Sequence, residues 1–305
     1  MAEMQTTPKR SFIAKIFISS NELRLRAGWR LLLQTLLMII LAVLLQSVLG
    51  IIFIPGKNGN LELFSGQILE LVVFSISIYI ARRFLDRRSF VSLGLRINKQ
   101  AVRDIFIGIV IAFVMMGSIY FLEVAAGWLT FESFAWQNET ATNVITGVFT
   151  FLAVFVFVGW NEELLSRGYH LQTFVSGINL FWGVVISSSV FGLAHLGNPN
   201  ATWVSAAGIF FAGVFFAYAF LRTGQLWLSI GLHIGWNFFE GVIFGFPVSG
   251  LDIYRLIHHQ VQGPKIWTGG AFGPEAGLIV LPALGLGSAL IYFNTRDRVI
   301  AQEKR

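Results

Sequence analysis

Residues 149–170 read FTFLAVFVFVGWNEELLSRGYH. The run 149–158 holds nothing more polar than one threonine, yet Glu162, Glu163, Arg167 and His170 follow within nine residues. An ionised carboxylate is costly to hold away from water unless it is paired, neutralised or used. The stretch therefore reads as a membrane helix that ends in polar groups with a purpose.

The rest of the chain supports a membrane setting. Of 305 residues, 55% are hydrophobic and 12% charged, about half the charged share of soluble domains; mean hydropathy is +0.70. Cysteine is absent, which excludes a disulfide framework, a thiolate metal site and a cysteine nucleophile. The net charge of +6 does not point to nucleic acid. The basic residues lie at the ends of apolar runs, where they set topology, rather than along a groove-binding face.

Eight apolar runs fall near 31–54, 67–81, 105–128, 143–160, 178–195, 201–221, 226–247 and 275–293. Most are long enough for a ~30 Å hydrocarbon core at about 1.5 Å per residue. The expected fold is all-α: a polytopic membrane protein of about eight transmembrane helices enclosing an intramembrane polar cavity. The first run is too long for a removable signal peptide and reads as a retained anchor. Nineteen of the 22 Lys and Arg fall on one side of the resulting topology, counting Arg167 in a connection, and Lys57, Arg255 and Lys265 on the other. That bias places both termini in the cytoplasm and 129–142 and 248–274 outside. The segment 82–104 reads as an amphipathic linker on anionic headgroups. The chain divides into a cytoplasmic tail (1–30), N-terminal helices with the linker (31–128), a core (129–295) and a second cytoplasmic tail (296–305). No eukaryotic targeting signal is present, so a bacterial plasma membrane is the expected location.

Acidic residues in or beside apolar runs include Glu70, Glu123, Glu162, Glu163 and Glu240. Glu70 and Glu123 are isolated in sequence and close enough to span ends to snorkel or pair, a structural role. The later half is different. Glu163 and Arg167 stand one helical turn apart in the favourable acid-before-base order, leaving Glu162 about 100° around the helix without a partner. Phe191 and His195 are four apart, before Gly197 and Pro199 end the helix. His233, Asn237 and Glu240 share one helix face, which must line a cavity or a helix seam.

EExxxR, FxxxH and HxxxN in that order resemble the CPBP family of intramembrane proteases, which includes the CAAX-processing endopeptidase of prenylated proteins. The similarity runs from about residue 145 to 245 and covers every motif position. It implies peptide-bond hydrolysis in a membrane-associated protein or peptide substrate, CAAX-type prenylated proteins among them. The implied roles make Glu162 the base that activates water, with His195 holding that water. His233 and Asn237 become the oxyanion donors, and Glu163 and Arg167 supports. Nearby Ser166, Ser187, Ser188 and Ser189 read as packing or back-bonded hydroxyls rather than nucleophiles. Substrate-binding residues are not legible beyond Glu240 as a cavity-lining residue.

The family has been described both as metal-independent and as a metalloprotease, and zinc on Glu162, His195 and His233 is the competing version. No cofactor is favoured here, because the three groups are dispersed over three helices without the compactness of HExxH. Two other functions stay open: a non-catalytic immunity or scaffold protein that keeps the motifs, and a proton-coupled transporter, although no repeated halves are visible. One difficulty is depth. With simple spans Glu162 lies at the cytoplasmic end of the fourth run and His195 near the external end of the fifth, about 27 Å of helix beyond Gly177. A shared water then requires tilted, offset or broken spans.

Overall fold

The structure, a computed structural model, describes residues 11–19, 24–52 and 59–303. Eight principal helices form it: α1 Ala27–Ile52, α2 Gly59–Ile80, α3 Lys99–Ala125, α4 Ala141–Glu163, α5 Leu180–Ala194, α6 Trp203–Thr223, α7 Trp227–Asn237 and α8 Val280–Glu303. Two short strands, β1 Leu129–Phe134 and β2 Ile257–Val261, pair antiparallel with a register shift between Phe131 and Ser133. Side-chain caps set the helix starts. Asn98, Thr140 and Asn179 each accept from the backbone N–H three residues on, and Thr202 forms a capping box with Ser205.

Six helical stretches among the described residues are long and apolar enough to cross a membrane: Ala27–Val48, Leu63–Leu85, Lys99–Ala125, Ala141–Gly177, Leu180–Gly197 and Trp203–Thr223. Large apolar side chains stay exposed along α1 (Ile39, Ile40, Val43) and α3 (Phe106, Phe113, Phe121), a surface that lipid covers. The chain is an all-α, multi-pass integral membrane protein. The other two predicted spans do not reach the same standard. Around α7 every residue from Leu228 to Asn237 is buried in protein rather than facing lipid, and α8 carries Arg296, Asp297 and Arg298 in its second half.

The fourth helix removes the depth problem. It does not end near residue 160 but continues through a π-wound stretch, Leu164–Leu171, and a last α turn to Gly177. Asn179 then caps α5, and Gly183 lies so close that a Cβ there would stand 2.5 Å from Val175. Glu162 lies fifteen residues before Gly177 and His195 fifteen residues after Leu180. The two arms of the hairpin thus rise about 22 Å each and bring both side chains to one level. Arg167 is accordingly inside this helix and not in a connection, so the charge asymmetry becomes eighteen to three. Of the residues counted, Lys9, Arg10, Lys57, Lys304 and Arg305 lie outside the described ones.

Helix α7 forms the centre of the bundle and rests on α3. A Cβ on Gly231 would come within 2.2 Å of the Ile105 carbonyl oxygen, and one on Gly108 within 2.6 Å of that of Leu228. Only glycine permits this backbone-to-backbone approach, which seats His233, two residues on, against α4. The packing crosses the division drawn at residue 128.

Two expectations are corrected outside the centre. The segment 82–104 is not a surface helix. Its beginning prolongs α2 as a π turn, Arg82 is buried among Asp86, Ser92 and Gln172, and Leu93 and Leu95 enter the core. Asp86 draws in Arg24, Arg30 and Arg82 together, a clustering that four separated sequence positions do not announce. Glu123 does not snorkel; it is fully buried, and among the described residues neither carboxylate oxygen has a hydrogen-bond partner.

Candidate active site

A cavity of about 320 Å³ opens between α2, α4, α5, α6 and α7, with residues 248–253 and Glu275 against it. Glu162, His195, His233 and Asn237 all line it. Four motif residues spread over 76 positions meet because a hairpin aligns two of them and a glycine seam delivers the others. Both motif helices also change from α to π winding, directly after Glu163 at Leu164 and directly after Asn237 at Phe238, as helices often do at functional sites.

Glu162 Oε2 stands 3.8 Å from His195 Nε2 and 3.7 Å from His233 Nε2. The far sides of both rings are tethered. His195 Nδ1–H donates to the Phe191 carbonyl at 2.8 Å, and His233 Nδ1–H donates to Glu163 Oε1 at 2.9 Å. A carbonyl can only accept, so Nδ1 of His195 carries the proton and a neutral ring turns a bare Nε2 toward Glu162. Neutral His233 does the same. To donate to an oxyanion it needs a second proton, and Glu162 and Glu163 stand on either side of the ring to balance that charge.

The remaining motif residues hold this geometry. Arg167 Nη1 donates to Glu163 Oε1 at 2.7 Å and Nη2 to the Gly213 carbonyl at 3.3 Å. Its guanidinium lies 4.2 Å from the centroid of Phe191 and 5.0 Å from that of Phe216. Phe216 in turn stacks on His233 at 4.8 Å with the planes 9° apart, and Phe191 meets His195 edge-on at 4.8 Å. The phenylalanine of the second motif thus braces both an arginine and a histidine. Glu163 joins Arg167 to His233, a buried triad on one carboxylate oxygen.

Other residues fall differently from their sequence reading. Glu240 does not line the cavity; it is fully buried beside Glu275 and Trp236. The π winding after Asn237 breaks the α-helical phase that put it on the face of His233. Glu70, read as structural, does line the cavity, near enough to Glu162 to feel its charge. Of the four serines, Ser187 and Ser189 bond back to carbonyls on their own helix and Ser188 packs against Gly213, while Ser166 reaches the cavity wall. Sequence reasoning missed Glu275 and Ser249. Glu275 accepts from Trp236 Nε1 at 3.2 Å and from the Ser249 backbone N–H and hydroxyl at 2.8 and 2.7 Å. It sits in an aperiodic glycine-rich loop and its partners are 26 and 39 residues away, so no local pattern marks it.

The donor types fit zinc: two imidazole nitrogens whose other nitrogens are held, and a carboxylate. Ligands about 2.0–2.1 Å from a tetrahedral ion stand about 3.3–3.4 Å apart, so the observed spacing is wider by about 0.4 Å. Among the described residues no set of three or more His, Asp or Glu takes up metal-holding geometry as it stands.

Residues 144–239 match the family model described as Type II CAAX prenyl endopeptidase Rce1-like. No curated protein matches the chain. All three motifs fall within the matched segment, and the walls supplied by α2, Ser249 and Glu275 lie outside it. By its motifs and this match, the chain carries a peptidase domain of the CAAX-type intramembrane protease family.

Proposed function

We propose that this chain is an intramembrane endopeptidase that cleaves membrane-associated proteins with a water activated by Glu162 and His195, without a metal. The observation that carries the reading is Glu162 Oε2 set between two Nε2 atoms whose rings are each tethered at Nδ1. Glu162 takes a proton from the water as its oxygen attacks the substrate carbonyl carbon. The resulting oxyanion accepts from Asn237 and from doubly protonated His233. Glu162 and His195 then return the proton to the amide nitrogen, the C–N bond breaks, and an amine and a carboxylic acid leave. Glu163 and Arg167 keep His233 in register. Zinc on Glu162, His195 and His233 is the second reading, favoured by the tethered Nδ1 atoms; bound there, it would supply an acidified water at neutral pH.

The test is cleavage of membrane peptides by purified protein after exhaustive chelation, with metal content measured. Full activity without stoichiometric zinc is expected. His233→Ala and Asn237→Ala should each lower turnover on the order of 10²–10³-fold, since each removes a donor to one oxyanion. Chelation-sensitive activity restored by zinc, with Asn237→Ala near normal, would replace the metal-free mechanism with the zinc one.

We further propose that both termini face the cytoplasm, in a bacterial plasma membrane, on the support of the eighteen-to-three distribution of basic residues. A phosphatase reporter joined after Arg305 should be inactive in a bacterial host and a cytoplasmic reporter active. The opposite pair of results would reverse the orientation.

A further inference from the structure

The cavity contains a carboxylate that the hydrolytic mechanism leaves idle. Glu70, on α2, lines the same cavity as Glu162 and is near enough for the two charges to interact. Its hydrogen-bonding neighbour is Gln67, one turn back, and Asn161 already donates to both the backbone and the side-chain oxygen of Gln67. Among the described residues no cation pairs with Glu70, and neither lysine nor arginine lines the cavity. The guanidinium of Arg167, itself a motif residue, is occupied by Glu163, the Gly213 carbonyl and two phenyl rings. Glu275, the third carboxylate, already has Trp236 and Ser249 as donors. Glu70 thus has neither a lysine or arginine partner among the described residues nor a part in the hydrolysis, and it sits at membrane depth in a space otherwise walled largely by apolar side chains.

A carboxylate in that setting is costly without a cation. Among the described residues the cavity provides no lysine or arginine; the histidines on its wall are His170, His195 and His233, the last two taken up by the hydrolytic mechanism, and the site opens to substrate. We propose that Glu70 is a substrate-binding residue that receives a lysine or arginine side chain beside the scissile bond. The substrate class is then a membrane-associated polypeptide with a basic residue next to the cleaved bond. The inference rests on the proteolytic reading of the site and narrows it.

The test uses internally quenched peptides with an apolar anchor, amidated C-termini and Lys, Gln or Glu at each of the two positions flanking the cleaved bond. At one of these positions wild-type protein should prefer Lys over Gln by about tenfold or more in kcat/KM, chiefly through KM, and reject Glu. Glu70→Gln should remove the preference while keeping turnover of the Gln peptide, and Glu70→Lys should turn it toward Glu. An unchanged preference in Glu70→Gln would overturn the proposal, as would an equal fall in kcat on every peptide, which a structural or chemical role would give. Binding of the same peptides to His195→Ala protein, followed by fluorescence anisotropy, reads the charge preference without turnover. Absence of any cleavage by wild type would count against the protease itself. Equal binding of Lys and Glu peptides would sink the role of Glu70 whether or not cleavage is seen.

Discussion

Glu162→Gln should lower the rate of peptide cleavage by about 10³-fold or more while leaving the fold intact. The substitution changes one oxygen for an amide nitrogen at nearly constant shape, so packing is preserved. The Glu162 side chain is 28% exposed to the cavity, and its Oε2 accepts no hydrogen bond from the protein. Little folding energy therefore depends on its charge. What is lost is the base: an amide cannot take a proton from water, and general-base catalysis contributes roughly 10²–10⁴-fold. Circular dichroism and thermal melting in detergent should match wild type, while single-turnover cleavage collapses. Near-normal cleavage by a folded Glu162→Gln protein would eliminate the mechanism. A function that survives Glu162→Gln unchanged would favour the non-catalytic scaffold over any enzyme.

Arg167→Met should have the largest effect on stability, a loss of about 3–5 kcal/mol. Arg167 and Glu163 are buried at 2% and 0% exposure, so removing the guanidinium leaves Glu163 charged in the protein interior with His233 as its remaining donor among the described residues. Arg167→Lys should recover little, because an ammonium cannot reach Glu163 and the Gly213 carbonyl as a fork while lying between Phe191 and Phe216. Pairing Arg167→Met with Glu163→Gln removes the stranded charge and should restore part of the stability. It should not restore cleavage, because His233 then loses the carboxylate that fixes its Nδ1–H. Denaturant or thermal unfolding in detergent checks the first three statements and peptide cleavage the last. A single Arg167→Met variant as stable as wild type would show that the triad does not hold the site together.

How much of this was legible from residues alone depends on the range of the interaction concerned. The Glu163–Arg167 pair is one helical turn long, and helix geometry brings its partners together wherever the helix lies. Six of the eight predicted spans were legible because hydrocarbon rewards any apolar run of sufficient length. The order of the three motifs carried the site residues, because the chemistry requires those residue types whatever path the chain takes between them. How they reach one membrane depth was not legible. It depends on the fourth helix continuing past residue 160 and on Asn179 turning it back, so that equal arms meet at Glu162 and His195.

Residues placed by non-local contacts escaped altogether. Glu70 in isolation looks like any acidic residue near a span end, and only the packing of α2 against the motif helices puts it on the cavity wall. Glu240 appeared to share the face of His233, but π winding after Asn237 turns it away. Glu275 is held by Trp236 and Ser249 through contacts that exist only once the loops are folded over the bundle. The sequence by itself determined which elements form and which chemical groups they carry, because those follow from neighbours along the chain. Tertiary structure alone decided which carboxylates share a cavity, because burial and charge proximity belong to the packed helices and not to any one of them.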